Sequence, residues 1–267
     1  MAYQNPKPEL PDEPLVKLKK PESALPKYIQ HDNVYFAFID ILGFKQAYNE
    51  NREDSARIFT SEVKNVFQYF SLLMDRVKYK KQDQWNSGQF SDSLFFYTTR
   101  IDCLKAFIKL YSHFSLFSMS QNVFFRGGIA KGGLFTAKPY EFYGDGVIKA
   151  YLLESSLARY PRTMIDNSTS ADLRREKDIL EYIVFDKPPD RSYISPFATV
   201  PEEELLSILD IAPEELMILG KAEWNRIARN IQVNTKRFEF DDNNYKKYTF
   251  LQAAYRDSRQ TNEKKVV

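Results

Sequence analysis

A chain of 267 residues with a net charge of +2 suits one large domain or a core with appendages, and so neutral a balance weighs against a dedicated nucleic-acid binder. A single cysteine, Cys103, excludes an intrachain disulfide framework and a cysteine-rich zinc site; with only His31 and His113 as histidines, any metal falls to oxygen ligands, which suits magnesium or manganese. No apolar run is long enough for a transmembrane helix and the proline-rich start lacks a signal-peptide core, so a cytoplasmic setting without a membrane partner is expected.

Residues 1–32 are rich in proline and charge and read as an extended arm. From Val34, VYFAFIDI lacks polar alternation, which predicts a strand buried on both faces. Residues 54–79 space Ile58, Val63, Val66, Phe67, Phe70 and Met74 as a helix does. In WNSGQFSDSLFFYTT a polar Ser-Asp-Ser separates apolar runs, predicting a hairpin with strands near 85–90 and 93–99. A helix follows over 101–119, then a strand, NVFFRGGIAKGGLF, that ends in glycines. YEFYGDGVIKAYLLESSLARY predicts a turn and a helix, and ILEYIVFD a strand. From Glu202 onward the spacing predicts helices near 202–209, 213–233 and 245–258. The order strand, helix, hairpin, helix, strand predicts an α+β, ferredoxin-like sheet with helices on one face. The expected organisation is an arm (1–32), a catalytic domain (33–200) and a helical extension (201–267).

Two carboxylates stand out. Asp40 ends the first buried strand, and Asp92 lies at the hairpin tip. Taken singly, Asp40 reads as a turn cap and Asp92 as a β-turn residue. In a ferredoxin-like sheet, however, the first strand runs beside that hairpin. Both carboxylates then reach one end of the sheet, where an oxygen-liking cation relieves their repulsion. Asp40 is followed by Ile-Leu-Gly-Phe, and Gly43 permits a tight turn whose amides, with a helix dipole, suit phosphate. A metal ligand beside a phosphate cradle is what a metal-bound nucleoside triphosphate needs.

Four blocks in order, FIDILGF (38–44), FSDS (90–93), FRGGIAKG (125–132) and YGDGVIKAYLLES (143–155), resemble the class III nucleotidyl cyclase family. Within it, Lys45 after DILGF, FSDS at the hairpin and ARYPR (158–162) are most similar to the Pycsar-type pyrimidine cyclases of bacterial anti-phage defence. The resemblance implies conversion of UTP or CTP to cyclic UMP or cyclic CMP, with pyrophosphate released. It implies a homodimer with shared active sites and a separate effector protein that senses the product. By the same resemblance, Asp40, Asp92 and the Ile41 carbonyl would bind two Mn2+ or Mg2+ ions. Amides around Leu42, Gly43 and Phe44 would hold the β- and γ-phosphates, and Arg126 would be a structural strand arginine.

The chain departs from the family at several positions. The purine cyclases' transition-state asparagine and arginine fall on Ile148 and Leu152, and their base-reading lysine and aspartate fall on Gly88 and Glu141. Lys149, Lys131, Arg159 or Arg162 could supply the missing cation, each also readable as a surface charge; Arg162, in a turn beside a proline, is favoured. Tyr48 is read as a base contact or as packing. The pairs Gly127-Gly128 and Gly132-Gly133 are read as close-approach positions more than as a phosphate loop. The C-terminal helices fit a lid, a scaffold or, as favoured, dimer support. A purine cyclase and a non-catalytic nucleotide-binding regulator remain the alternative functions.

Overall fold

The computed structural model describes residues 28–42, 54–79, 84–138, 141–186 and 191–265. Its elements are β1 (Ile29–Ile41), α1 (Asp54–Asp75), β2 (Asn86–Phe90), β3 (Ser93–Thr98), α2 (Ile101–Ser120), β4 (Phe125–Lys138), β5 (Glu141–Tyr143) and α3 (Asp145–Leu152). They continue with β6 (Thr163–Ile165), α4 (Asn167–Leu173), β7 (Ile183–Asp186), β8 (Arg191–Ile194), α5 (Glu202–Ile208), α6 (Lys221–Arg237) and α7 (Asp242–Lys265).

The fold is α+β, a mixed sheet with strand order β2-β3-β1-β4-β6-β8-β7 and β5 paired to β4. The first four strands have the expected ferredoxin-like order. β6 runs parallel to β4, and the other pairings are antiparallel. Alternation along β1 sends Tyr35, Ala37, Ile39 and Ile41 to one face, where α1 and α2 cover them with Phe67, Phe70, Phe107 and Phe114. The opposite face of β1 carries Val34 and Phe36, which meet Ala130 and Leu134 of β4 and Ala150 of α3. Both faces of β1 are therefore buried, which explains the absence of polar alternation.

Helices lie on both faces of the sheet, not on one. α3 packs on the second face because β4 carries glycine where the helix crosses it. A Cβ on Gly128 would lie 2.6 Å from the Leu153 Cβ and closer still to the Ala150 carbonyl, and one on Gly132 would lie 2.5 Å from the Gly146 amide nitrogen. The glycine pairs thus permit close approach of helix to strand. β4 does not end at them; it runs on to Lys138.

Other boundaries also differ. Residues 29–32, expected in the arm, belong to the sheet, with Ile29 opposite Thr136; residues 1–27 lie outside the described residues. ILEYIVFD is half 3-10 helix (Lys177–Tyr182) and half strand. The predicted helix over 213–233 is a 3-10 turn (Pro213–Glu215) and then α6, separated by a segment that contains Gly220. The short β6, α4 and β8 were not expected; strands of three and four residues and a seven-residue helix whose only apolar residues are Ala171 and Leu173 carry too little periodicity to register as elements.

Candidate metal and phosphate site

β1 delivers Asp40 at its C-terminal end, where the register sets it opposite Ser93 of β3 and Arg126 of β4. Asp92 sits in the two-residue turn just before Ser93. The preceding residue, Ser91, has φ 56°, at a position where such turns usually carry glycine. Holding a serine there costs on the order of 1 kcal/mol. The turn sets Asp92 next to Ser93, the residue opposite Asp40.

Asp40 accepts a hydrogen bond from Ser93 Oγ at 3.2 Å, and Arg126 Nη2 lies 3.7 Å from its Oδ2. Burial first, and then the charge of Asp92, raise the Asp40 carboxyl above its ordinary range, against Arg126 and Ser93, which lower it. Arg126 Nε also approaches Glu154 Oε1 at 2.7 Å, an ion pair whose angle makes no hydrogen bond. Glu154 is only 2% exposed. Burial raises its carboxyl, and although Arg126 lowers it, the charges of Asp40 and Asp92 push it further up. Asp40 and Glu154 therefore flank one guanidinium, and the charge of Asp92 bears on both.

Glu154 lies on a π turn (Leu153–Leu157) that follows α3. Gly146, Ala150 and Glu154, four residues apart, are all buried against the sheet. That i, i+4, i+8 stripe was the sequence signal for a carboxylate facing β4, and the sequence reading passed over it. π turns of this kind recur at functional sites.

The donor set suits a hard divalent ion. Among the described residues no three His, Cys, Asp or Glu side chains are arranged to hold a metal. Magnesium, however, is commonly held by one or two carboxylates, with waters and substrate phosphates completing its shell. Asp40 and Asp92 form such a pair, and the raised Asp40 carboxyl marks a charge that a cation would neutralise.

The other expected residues fare differently. Ile41, whose carbonyl was expected as a ligand, ends β1 with its side chain buried in the α1/α2 core. The Leu42 amide donates to the Phe124 carbonyl at 2.8 Å, so it is committed to the sheet and does not face a phosphate. Gly43, Phe44 and Tyr48 lie outside the described residues. Lys149 is half exposed, paired with Asp145 at 2.7 Å and bonded to the Lys131 carbonyl. Lys131 sits opposite Tyr35, five positions from Asp40 along β1. Within one chain Lys149 is therefore roughly 17 Å along the strand from the carboxylates. Lys131 is itself held by Asp172 at 2.8 Å, and Arg159 is exposed.

Arg162 is half-buried among aromatic rings, with its guanidinium 4.8 Å from the Tyr193 centroid, 5.2 Å from Tyr160 and 5.6 Å from Phe250. Its carbonyl accepts from the Gly127 amide. Its main chain is thus near the site while its side chain packs against rings, which is a structural use of the cation.

No protein-family model and no curated protein matches the chain. Among solved structures, it is similar to a double mutant of the monomeric guanylyl cyclase domain of the RhoGC fusion protein from the aquatic fungus Blastocladiella emersonii. The identity there is 14%, over 62% of this chain and 95% of that one, with a TM-score of 0.43. The catalytic core of a rhodopsin-guanylyl cyclase with converted specificity, in complex with ATPalphaS, is 13% identical over 63% and 97%, at a TM-score of 0.43. The guanylate cyclase domain of RhGC from Catenaria anguillulae, in complex with GTP, is 13% identical over 62% and 96%, at 0.42.

Proposed function

We propose that the chain is a metal-dependent nucleotidyl cyclase that turns a pyrimidine nucleoside triphosphate, UTP or CTP, into its 3′,5′-cyclic monophosphate and pyrophosphate. The observation that carries this reading is the register of β1 with β3, which sets Asp40 opposite Ser93 and so beside Asp92. Two carboxylates held this close, one of them half-buried, are unfavourable by themselves. A divalent cation with a triphosphate is the partner that makes the arrangement useful.

Asp40, on a strand buried on both faces, and Asp92, on a strained turn, would hold Mn2+ or Mg2+. Bound there, such ions lower the pKa of the attacking 3′-hydroxyl and neutralise charge on the pyrophosphate that leaves. Ser93 orients the Asp40 carboxylate. Arg126, anchored by Glu154, holds positive charge on the protein side of Asp40. Because β1 is buried on both faces, it holds Asp40 in a fixed place, and a substrate bound there through the metal would meet a preset geometry, which would lower the entropic cost of in-line attack. No histidine is needed as a base: His113 is buried on the other face, bonded to Tyr69 at 2.8 Å.

A homodimer with shared sites fits the surface of α3. Ile148, Tyr151 and Leu152 are 60%, 53% and 51% exposed, more apolar surface than one short helix ordinarily shows to water. By the resemblance, the purine-type asparagine and arginine would occupy two of these positions. Their replacement, with Gly88 and Glu141 at the base-reading positions, favours a pyrimidine. Anti-phage defence, with a separate effector for the product, follows from the same resemblance.

The test is incubation of the purified protein with each ribonucleoside triphosphate and manganese, followed by chromatography. A cyclic product from UTP or CTP alone is expected. A product from ATP or GTP would make it a purine cyclase, and no product from any would make it a non-catalytic nucleotide binder.

A further inference from the structure

The cores of the sheet domain and of the extension meet at a seam. Leu205 and Leu216 belong to the cluster beneath the sheet, Leu116 and, at its edge, Trp224 to the cluster shared with α6 and α7, and Leu219 packs against both. These side chains line a cavity of about 120 Å³. An apolar protein cavity of roughly 150 Å³ stays dry and takes up benzene. The space at the seam therefore suits a guest built on one six-membered ring.

The polar members of the wall are His113, Thr199 and Glu202. Thr199 and Glu202 are exposed and mark the mouth. His113, from α2, is 4% exposed and marks the inner end. Its Nε2 meets the Tyr69 hydroxyl at 2.8 Å. Among the described residues that hydroxyl has no other acceptor, so its proton goes to Nε2. Burial lowers the His113 pKa to about 4 and keeps the ring neutral. A neutral imidazole whose Nε2 accepts carries its own proton on Nδ1. Among the described residues Nδ1 makes no hydrogen bond, and a buried N–H left without an acceptor is unfavourable. Any hydrogen bond from His113 to a guest therefore runs from Nδ1–H to an acceptor on that guest. Trp224, whose ring centroid lies 6.0 Å from that of Tyr255 on α7, supplies an aromatic wall, which favours a ring over an aliphatic chain. Glu202 at the mouth disfavours an anion.

We propose that this cavity is a binding site for a small, uncharged aromatic molecule with one hydrogen-bond acceptor, such as a phenol, whose oxygen accepts from His113. The cavity shares no residue with the site of Asp40 and Asp92, so the proposal stands or falls apart from the cyclase reading. A guest there fills the seam and tightens the joint between sheet domain and extension.

The experiment is a fluorine NMR titration of the full chain with para-fluorophenol and, separately, with fluorobenzene, beside melting curves. The variants are His113→Leu, which removes the Nδ1–H, and Val200→Phe, which fills the cavity from its own wall. The wild type is expected to bind para-fluorophenol at least about threefold tighter than fluorobenzene and to melt higher in its presence. His113→Leu is expected to lose or reverse that preference, and Val200→Phe to bind neither compound. Absence of para-fluorophenol binding to the wild type would overturn the proposal and make the space a packing void. Binding that survives Val200→Phe would overturn it as uptake elsewhere on the protein. A wild type without the preference, or a preference unchanged in His113→Leu, would overturn it as well, since His113 would then recognise nothing. If His113→Leu does not fold, the wild-type preference and Val200→Phe decide the matter alone.

Discussion

Asp40 and Asp92 repel each other in the free protein, so each should be dispensable for folding and indispensable for chemistry. Asp40→Asn and Asp92→Asn are expected to cut cyclic nucleotide formation by at least about 100-fold, the scale seen when groups that merely support metal ligands are lost. Asp40→Asn should also melt higher than the wild type, because burial and Asp92 both disfavour the ionised Asp40. Circular dichroism melts beside the chromatographic assay check both outcomes. His113 tests a different residue-scale cost. Burial lowers its pKa from 6.5 to about 4, so the folded state holds it neutral while the unfolded chain takes up a proton below 6.5. Stability that is full above pH 6.5 is therefore lost as pH falls through that value toward about 4, by roughly 3 kcal/mol. Urea titrations across this window should show the loss, and His113→Phe should lack that part of it.

At the scale of elements, α3 on β4 is the contact that brings Glu154 to Arg126. The helix lies so near the strand that a methyl on Gly128 would strike the Ala150 carbonyl, a backbone atom that cannot swing aside. Gly128→Ala is expected to destabilise the fold by about 1–3 kcal/mol, measured by urea denaturation. Because the displaced helix leads directly into the turn that carries Glu154, activity should fall as well. The hairpin is the second such element. Phe90 and Ser93 close it, and Ser91 accepts a left-handed conformation to do so, so the position of Asp92 depends on the turn and not on packing.

At the scale of the whole molecule there are two apolar surfaces to consider, one exposed and one internal. The exposed Ile148, Tyr151 and Leu152 are expected to lie in the dimer contact, so Ile148→Asp should shift the protein to monomer in sedimentation velocity and lower its turnover. The second surface is internal. Leu42, Leu116, Met119 and Phe124 of the sheet domain share one cluster with Ile227, Ile231, Tyr248 and Leu251 of the extension. A chain cut after residue 200 would expose that cluster and is expected to aggregate, seen as loss of soluble protein on size exclusion. The extension therefore completes the fold and is not an appendage, whatever its composition suggests.

Much of this was legible in the chain itself. Val34 to Ile41 is apolar without alternation, and only a strand covered on both faces accepts that. The helical spacing of Val63, Val66, Phe67 and Phe70 and the polar break at Ser91 to Ser93 set the next elements, and their order implied the β2-β3-β1-β4 core. Asp40 and Asp92 were readable because a carboxylate at a strand end and another at a hairpin tip meet when those strands pair. Local pattern reports how each segment buries its own apolar side, so it stops there. That the Leu42 amide is spent on Phe124, that Arg162 is enclosed by Tyr160, Tyr193 and Phe250, and that Glu154 approaches Arg126 depend on segments far apart in sequence arriving at one place. Only the tertiary structure decides such meetings, since packing and register across the sheet, not the character of any one residue, determine which charges become neighbours.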